Sequence, residues 1–246
     1  MIQSILSGVS LAMAMIPEEF PVVLTVFLSM GAWRLAKKKS LIGKLTAVET
    51  MGAVSVLCVD KTGTVTKNEM TVIQLISSTT NDSELTELMG LACETDPYDP
   101  MVIAMLNYCE HHNMTKKQLF SGELITEYPF TDELKMMGHV WKKQDNITIS
   151  IKGSPESVLG ISNLSKEGKS KVLKDIELLS KQGLRVIAVG SMDVDNIENI
   201  PIDIESCHLK FVGLVGLEDP PRKNVREHIT QCQSAGIRVV MITREY

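Results

Sequence analysis

The stretch AVSVLCVDKTGTVT, residues 53–66, joins an apolar run rich in β-branched side chains to an acid and a glycine-containing turn. A short apolar run of that kind, ending at Asp60, reads as a strand buried on both faces, as in parallel α/β sheets. The acid then stands at the C-terminal edge of its strand, where such sheets place their chemistry. A carboxylate there can attack phosphorus and form an acyl phosphate, which divides one hard hydrolysis into two easier steps. Lys61 beside it favours the ionised form. Asp60 and the backbone carbonyl of Thr62 are oxygen donors suited to a shared Mg²⁺, whose charge offsets repulsion between the carboxylate and an incoming triphosphate.

Working outward, HLKFVGLVGLED (208–219) reads as a second strand. A helix follows it, with Asp219 as N-cap, prolines in its first turn and Gly236 as its stop, and then the strand IRVVMIT (237–243). Strand, helix and strand in that order predict a βαβ unit and a parallel sheet. Residues 79–205 read as a separate α/β insert. Its helical patterns fall at 83–94, 100–113 and 166–182, and its strand-like runs at 124–129, 135–142, 146–152 and 184–192. HVWKK and ITISIK form a predicted hairpin around Gln144-Asp145-Asn146.

The other end of the chain is different in kind. Residues 1–33 carry only Glu18 and Glu19 as charges, although the 246-residue chain is 22% charged. That length suits one bilayer crossing, interrupted where Pro17 and Pro21 break the helix. The basic cluster Arg34, Lys37, Lys38, Lys39 and Lys44 places the C-terminal end of the crossing on the cytoplasmic side. A membrane location with the bulk of the chain cytoplasmic is therefore expected. The net charge of −5 provides no basic excess for nucleic acid. Five cysteines, an odd number without a C-x-x-C pair, argue against a disulfide scaffold and for small buried hydrophobes.

Taken together, IPEEFP (16–21), DKTGTVT (60–66), KGSPE (152–156), GLEDPPR (216–222) and GIRVVMIT (236–243) resemble, in order, motifs of the P-type cation-transporting ATPases, in their type II, calcium-pump-like branch. The resemblance implies an α/β haloacid-dehalogenase-like phosphorylation domain, incomplete here. An inserted α+β nucleotide-binding domain splits it, and one broken transmembrane helix precedes it. The implied boundaries are 1–33 for that helix, 34–52 for a stalk, 53–78 and 206–246 for the two parts of the phosphorylation domain, and 79–205 for the nucleotide domain. The implied ligands are ATP, Mg²⁺ and a transported divalent cation, Ca²⁺, with the lipid bilayer and the remainder of the pump as partners.

Residue by residue, the resemblance makes Asp60 the phosphoryl acceptor and Thr62 a magnesium and phosphate ligand. Phe130, in EYPFTDELKMM, matches the ring that stacks on adenine, with Lys135 lining the pocket. Lys152 and Gly153 match the pocket's lysine motif. Arg185 matches an arginine that reaches the phosphates, Asp219 and Arg222 match hinge-side residues near the nucleotide, and Thr243 matches the hydroxyl that holds the transferred phosphate. Glu18 matches the acid that binds the transported cation. The flanking prolines expose backbone carbonyls, so those of Met13, Ala14 and Ile16 can join it.

Three departures from the family pattern stand out. Glu19 and Phe20 replace the glycine and leucine of PEGLP, and Val102 stands where many relatives carry an acid facing the nucleotide. The chain also reads MIT-Arg244-Glu245-Tyr246 where the family continues MITGD. The last point leads to the expectation of a central pump segment truncated at both ends. A non-enzymatic nucleotide-binding remnant and a haloacid-dehalogenase-type phosphatase are the alternatives. The phosphatase is disfavoured by the membrane stretch and by Thr62, which stands where such an enzyme has its general acid.

Overall fold

The computed structural model describes residues 2–14, 19–79 and 81–242. In chain order its elements are α1 (Ile2–Ala14), α2 (Phe20–Lys37), α3 (Thr46–Gly52), β1 (Val56–Asp60), β2 (Thr71–Ser77), α4 (Asp82–Leu91), α5 (Pro100–His111), α6 (Lys116–Leu119), β3 (Glu123–Tyr128), β4 (Met136–Lys143), β5 (Asn146–Gly153), α7 (Pro155–Gly160), α8 (Lys166–Lys181), β6 (Arg185–Val194), β7 (Lys210–Glu218), α9 (Val225–Ser234) and β8 (Arg238–Ile242). They divide into two compact units, one of residues 1–59 with 224–246 and one of residues 60–223.

In the first unit, α1 ends at Ala14 and α2 starts at Phe20, with Pro21 in its first turn, where its missing N–H is tolerated. By length and composition α2 can cross a membrane, and none of its residues is buried. Its end is built from the basic cluster: Lys39 takes a left-handed conformation (φ 63°), and the Ser40 N–H reaches back to Leu35 O at 3.0 Å. Strand β1 forms where expected and pairs with β8. It is exposed along most of its length rather than buried on both faces, because among the described residues a two-stranded sheet is all that shields it.

The 60–223 unit is built on a six-stranded antiparallel sheet of order β2-β7-β6-β5-β4-β3. α4, α5, α8 and β3 to β6 follow the predicted runs closely, including the β4–β5 hairpin, where Lys143 pairs with Asn146 around a turn that holds Gln144 at φ 57°, whereas β2, α6 and α7 have no counterpart among those runs. β5 shows how the sheet reads from its sequence. Ile147, Ile149 and Ile151 point to one face and join Val158 of α7 and Val172 and Leu179 of α8. On the opposite face, Leu85 and Met89 of α4, Met105 and Leu106 of α5 and Leu119 of α6 pack on Val189, Val215 and Leu217.

The expected parallel βαβ unit does not form. β7 lies between β2 and β6, whereas β8 pairs with β1. The continuous apolar run that suggests a parallel strand reports burial on two faces. An antiparallel sheet with helices on both sides supplies that equally well. The sheet also draws in β2 and β7, which lie outside 79–205, so this unit is wider than the insert drawn from the sequence. Nor does Asp219 cap the following helix: α9 begins at Val225, after Asn224 at φ 68°, which leaves both prolines outside it.

Close approach between β2 and β7 depends on Gly213, where a Cβ would fall 2.6 Å from Ile76 O and 2.7 Å from a Leu85 methyl. Gly213→Ala should therefore destabilise the chain by about 1–3 kcal/mol in urea unfolding. A midpoint equal to that of the parent would show that the two strands are not held this closely.

Candidate functional site at one end of the antiparallel sheet

Asp60 is exposed at the end of β1, and Lys61 and Thr62 beyond it are exposed as well. The chain then reverses in a type II turn: Thr62 has φ −78° and ψ 125°, and Gly63 has φ 74° and ψ −10°. That second position requires positive φ, which glycine adopts without a steric penalty. Thr66 fixes the turn from within. Its hydroxyl accepts the Gly63 N–H at 3.1 Å and gives its single proton to Asp219 Oδ2 at 2.5 Å.

The segment after β7 is paired against this turn. Lys67 N–H donates to Pro220 O at 3.0 Å, Arg222 N–H to Val65 O at 2.9 Å, and Glu69 N–H to Asp219 Oδ1 at 3.3 Å. The Arg222 guanidinium donates to Gly63 O at 2.8 Å. Asp219 and Arg222 thus hold the shape of the DKTGT turn.

Antiparallel register brings most of the remaining predicted residues to the same end of the sheet. Gly153 pairs with Met136 and with Ala188, so Lys135, at the start of β4, and Arg185, at the start of β6, both lie beyond the end of β5. Arg185 pairs with Leu217, which puts Asp219 at that end too. Lys135 adopts φ 51° and its carbonyl accepts the Ser154 N–H at 2.8 Å. A Cβ on Gly153 would meet Met136 Cβ at 2.4 Å, so only glycine permits this approach. Phe130, in the turn between β3 and β4, is 55% exposed.

Lys152 is the exception to this open arrangement. It is only 4% exposed, and its ammonium donates to Ala92 O at 2.7 Å and pairs with Glu94 Oε2 at 3.2 Å. On the same face, Ser150 donates to Leu88 O at 2.6 Å. The ring of His139 is buried, with Nε2 3.6 Å from Glu127 and Nδ1 without a partner. The sequence reading does not single out Glu94, Glu127 or His139. The signal is present in the alternation Thr148, Ser150 and Lys152, which puts polar groups on a face that α4 covers and so demands partners from the end of that helix. Val102, at the position of the family's acid, is buried in the apolar layer.

Three predicted residues, Glu18, Ile16 and Thr243, lie outside the described residues. Met13 is exposed, and Ala14 is the last residue of α1. A cleft lined by Glu84, Lys143, Thr148 and Asp193 opens at the other end of β5 and includes none of the predicted site residues. Burial pushes the Cys93 thiol up to about 11 and Cys109 to about 12, as suits small inert core side chains, while Cys58 is exposed.

The fold and this cluster define a mixed α/β domain on an antiparallel sheet, joined to a strand that ends in an exposed carboxylate. Residues 73–224 match the family described as P-type ATPase, cytoplasmic domain N, and the chain belongs to that family. Over 275 residues it is 35% identical to calcium-transporting ATPase 1 of Bacillus cereus, covering 100% of this chain and 31% of the relative. It is 33% identical to the calcium-transporting ATPase of Bacillus subtilis, covering 98% and 33%. To calcium-transporting ATPase type 2C member 1 of Pongo abelii it is 31% identical, covering 96% and 30%. The chain spans about a third of the length of these curated relatives. The calcium-pump-like resemblance carried by the motif strings is thus borne out.

Two groups in the site make stability depend on pH in the same direction. Burial, reinforced by the nearby Lys152 charge, holds His139 below its ordinary value. Its folded state therefore favours the neutral ring, and stability falls as pH drops below 6.5. Burial alone would raise Glu94, but Lys152 and the hydrogen bonds outweigh it, so the net shift is downward and its contribution disappears only at lower pH, below 4.5. Unfolding measured between pH 7 and 3 should show two successive losses, and His139→Phe should remove the first alone. An unchanged profile in that variant would contradict the assignment.

Proposed function

We propose that the chain is the part of a calcium-transporting P-type ATPase that receives ATP and accepts its γ-phosphoryl group. The observation that carries this reading is the convergence of Lys135, Gly153, Arg185 and the Asp219-braced turn at one end of the sheet, in a chain of this family. Phe130 stacks on the purine and Lys135 and Lys152 line the pocket, while Arg185 reaches the phosphates. An Asp60 carboxylate oxygen attacks the γ-phosphorus, the bond to the β–γ bridging oxygen breaks, and ADP leaves, so that an aspartyl phosphate remains on the chain. Thr243 holds the transferred group.

Mg²⁺ fits the donors at the turn, since an exposed carboxylate and a backbone carbonyl are the hard oxygen ligands it takes. Asp60 and Thr62 would hold it, and it would offset the charge of the approaching phosphate. The phosphorylation domain, haloacid-dehalogenase-like in this reading, consists of the segments flanking the antiparallel sheet. In the membrane, α1 and α2 are the halves of one broken span. Glu18 binds the transported Ca²⁺ with the carbonyls of Met13, Ala14 and Ile16, and Arg34 to Lys44 stay on the cytoplasmic side. An ionised acid costs about 2.5–3.5 kcal/mol at the centre of a bilayer helix, which is consistent with a functional role for Glu18.

Displacement of a fluorescent ATP analogue from the full chain in detergent tests the nucleotide part. ATP should displace it, and Lys152→Ala should weaken ATP by about 10-fold or more, as expected for loss of a charged hydrogen bond. Absence of displacement at millimolar ATP would overturn the proposal.

A further inference from the structure

The cleft at the hairpin end of β5 is built on the face of the sheet that α4 covers. Residues in register on neighbouring antiparallel strands share a face, so Thr148 with Asp193, and Ser150 with Ser191 and Lys210, form two polar rows across β5, β6 and β7. α4 crosses over them: Ser150 donates to Leu88 O at 2.6 Å, Trp141 Nε1 to Leu91 O at 2.8 Å, and Lys210 pairs with Glu84 at 2.7 Å. The corner left between this helix and the hairpin has a volume of about 370 Å³, within the size range of small-molecule clefts.

The charges that line it are not all matched within the chain. Lys210 neutralises Glu84, and the Thr148 hydroxyl donates to one oxygen of Asp193, Oδ1, at 2.9 Å. Asp193 Oδ2 and the carboxylate of Glu87, one on each wall, have no partner among the described residues, and the remaining cation of the lining, Lys143, pairs with neither. Ser191 is only 8% exposed, and its hydroxyl lines the cleft without a hydrogen bond among the described residues, a polar atom that a ligand donor would satisfy. Leu88, Leu91 and Leu119 add an apolar wall. Among the described residues no three acids, histidines or cysteines converge to hold a metal ion, so the lining matches an organic cation with N–H donors and a short aliphatic body.

We propose that this cleft binds a small aliphatic ammonium ion. Its N–H groups donate to Glu87, Asp193 and Ser191, and its methylenes lie on the three leucines. Gly153 and the predicted nucleotide residues are at the opposite end of β5, so the site stands whether or not ATP binds there.

Equilibrium dialysis of the full chain, in non-ionic detergent, against labelled butane-1,4-diamine tests the proposal. Binding should be saturable and stoichiometric. Glu87→Gln and Asp193→Asn should each weaken it by about 5-fold, the upper end of the range for a partly exposed charge pair. Glu167→Gln, on the exposed surface of α8, should leave it unchanged. Asparagine still accepts the Thr148 hydroxyl and Glu87 is exposed, so the urea midpoint should hold in both cleft variants; if one shifts, the other serves alone. Competition by Nα-acetyl-lysine amide separates two sources of the ammonium: displacement as strong as by the diamine assigns the site to a lysine side chain of a partner protein, and weaker displacement to a free amine. Absence of saturable binding, equal loss in Glu167→Gln, or displacement by Mg²⁺ at the same concentration would overturn the proposal.

Discussion

The 60–223 unit depends on the backbone hydrogen bonding of β7, which is paired along both edges and buried on both faces. β2 leaves the DKTGT turn with no neighbour from its own part of the sequence. Its sheet partner arrives more than 130 residues later, and the sheet is complete only when β7 fills the place between β2 and β6. This long-range closure determines what happens at the end of the strand. Because Glu218 is in register with Thr71, Asp219 emerges beside Thr66 and can take its hydroxyl proton. The geometry of the turn after Asp60 is therefore set by a strand far away in sequence, through a single carboxylate and the guanidinium of Arg222.

Charged groups in this unit differ in depth. Ahead of β2, Asp60, Lys61 and Thr62 are open to solvent. Inside, Lys152 is closed off by the end of α4 and by Glu94. Burying an unpaired ammonium would cost several kcal/mol, so a carboxylate from the chain itself is its natural partner. Burial and the Lys152 charge also favour the neutral ring of His139, whose Nδ1 has no hydrogen-bond partner.

Much of this is legible in the sequence. The longer helices α4, α5 and α8 and the strands β3 to β6 follow hydrophobic periodicity, and the β4–β5 hairpin is visible from two alternating runs around Gln144 and Asp145. The membership of β7 is not. Unbroken burial from Phe211 to Leu217 does not distinguish a parallel sheet from an antiparallel one covered on both sides, and Gly213 and Gly216 acquire meaning only once β2 is placed against them. The role of Asp219 is hidden for a related reason. An acid before two prolines reads locally as a helix cap, but its partner Thr66 is 153 residues away. Glu94 has no motif of its own, and only the fold reveals that it lies opposite Lys152.

Hydrogen exchange of the full chain, followed by mass spectrometry with and without ATP, tests the central claim most directly, because it locates the ligand without assuming which residue matters. The account predicts slower exchange in 129–137 and 152–155, where Phe130, Lys135, Lys152 and Gly153 meet at one end of the sheet, with β2 and β7 unchanged. Unaltered exchange in those segments, or protection confined to the cleft at the opposite end of β5, would contradict it.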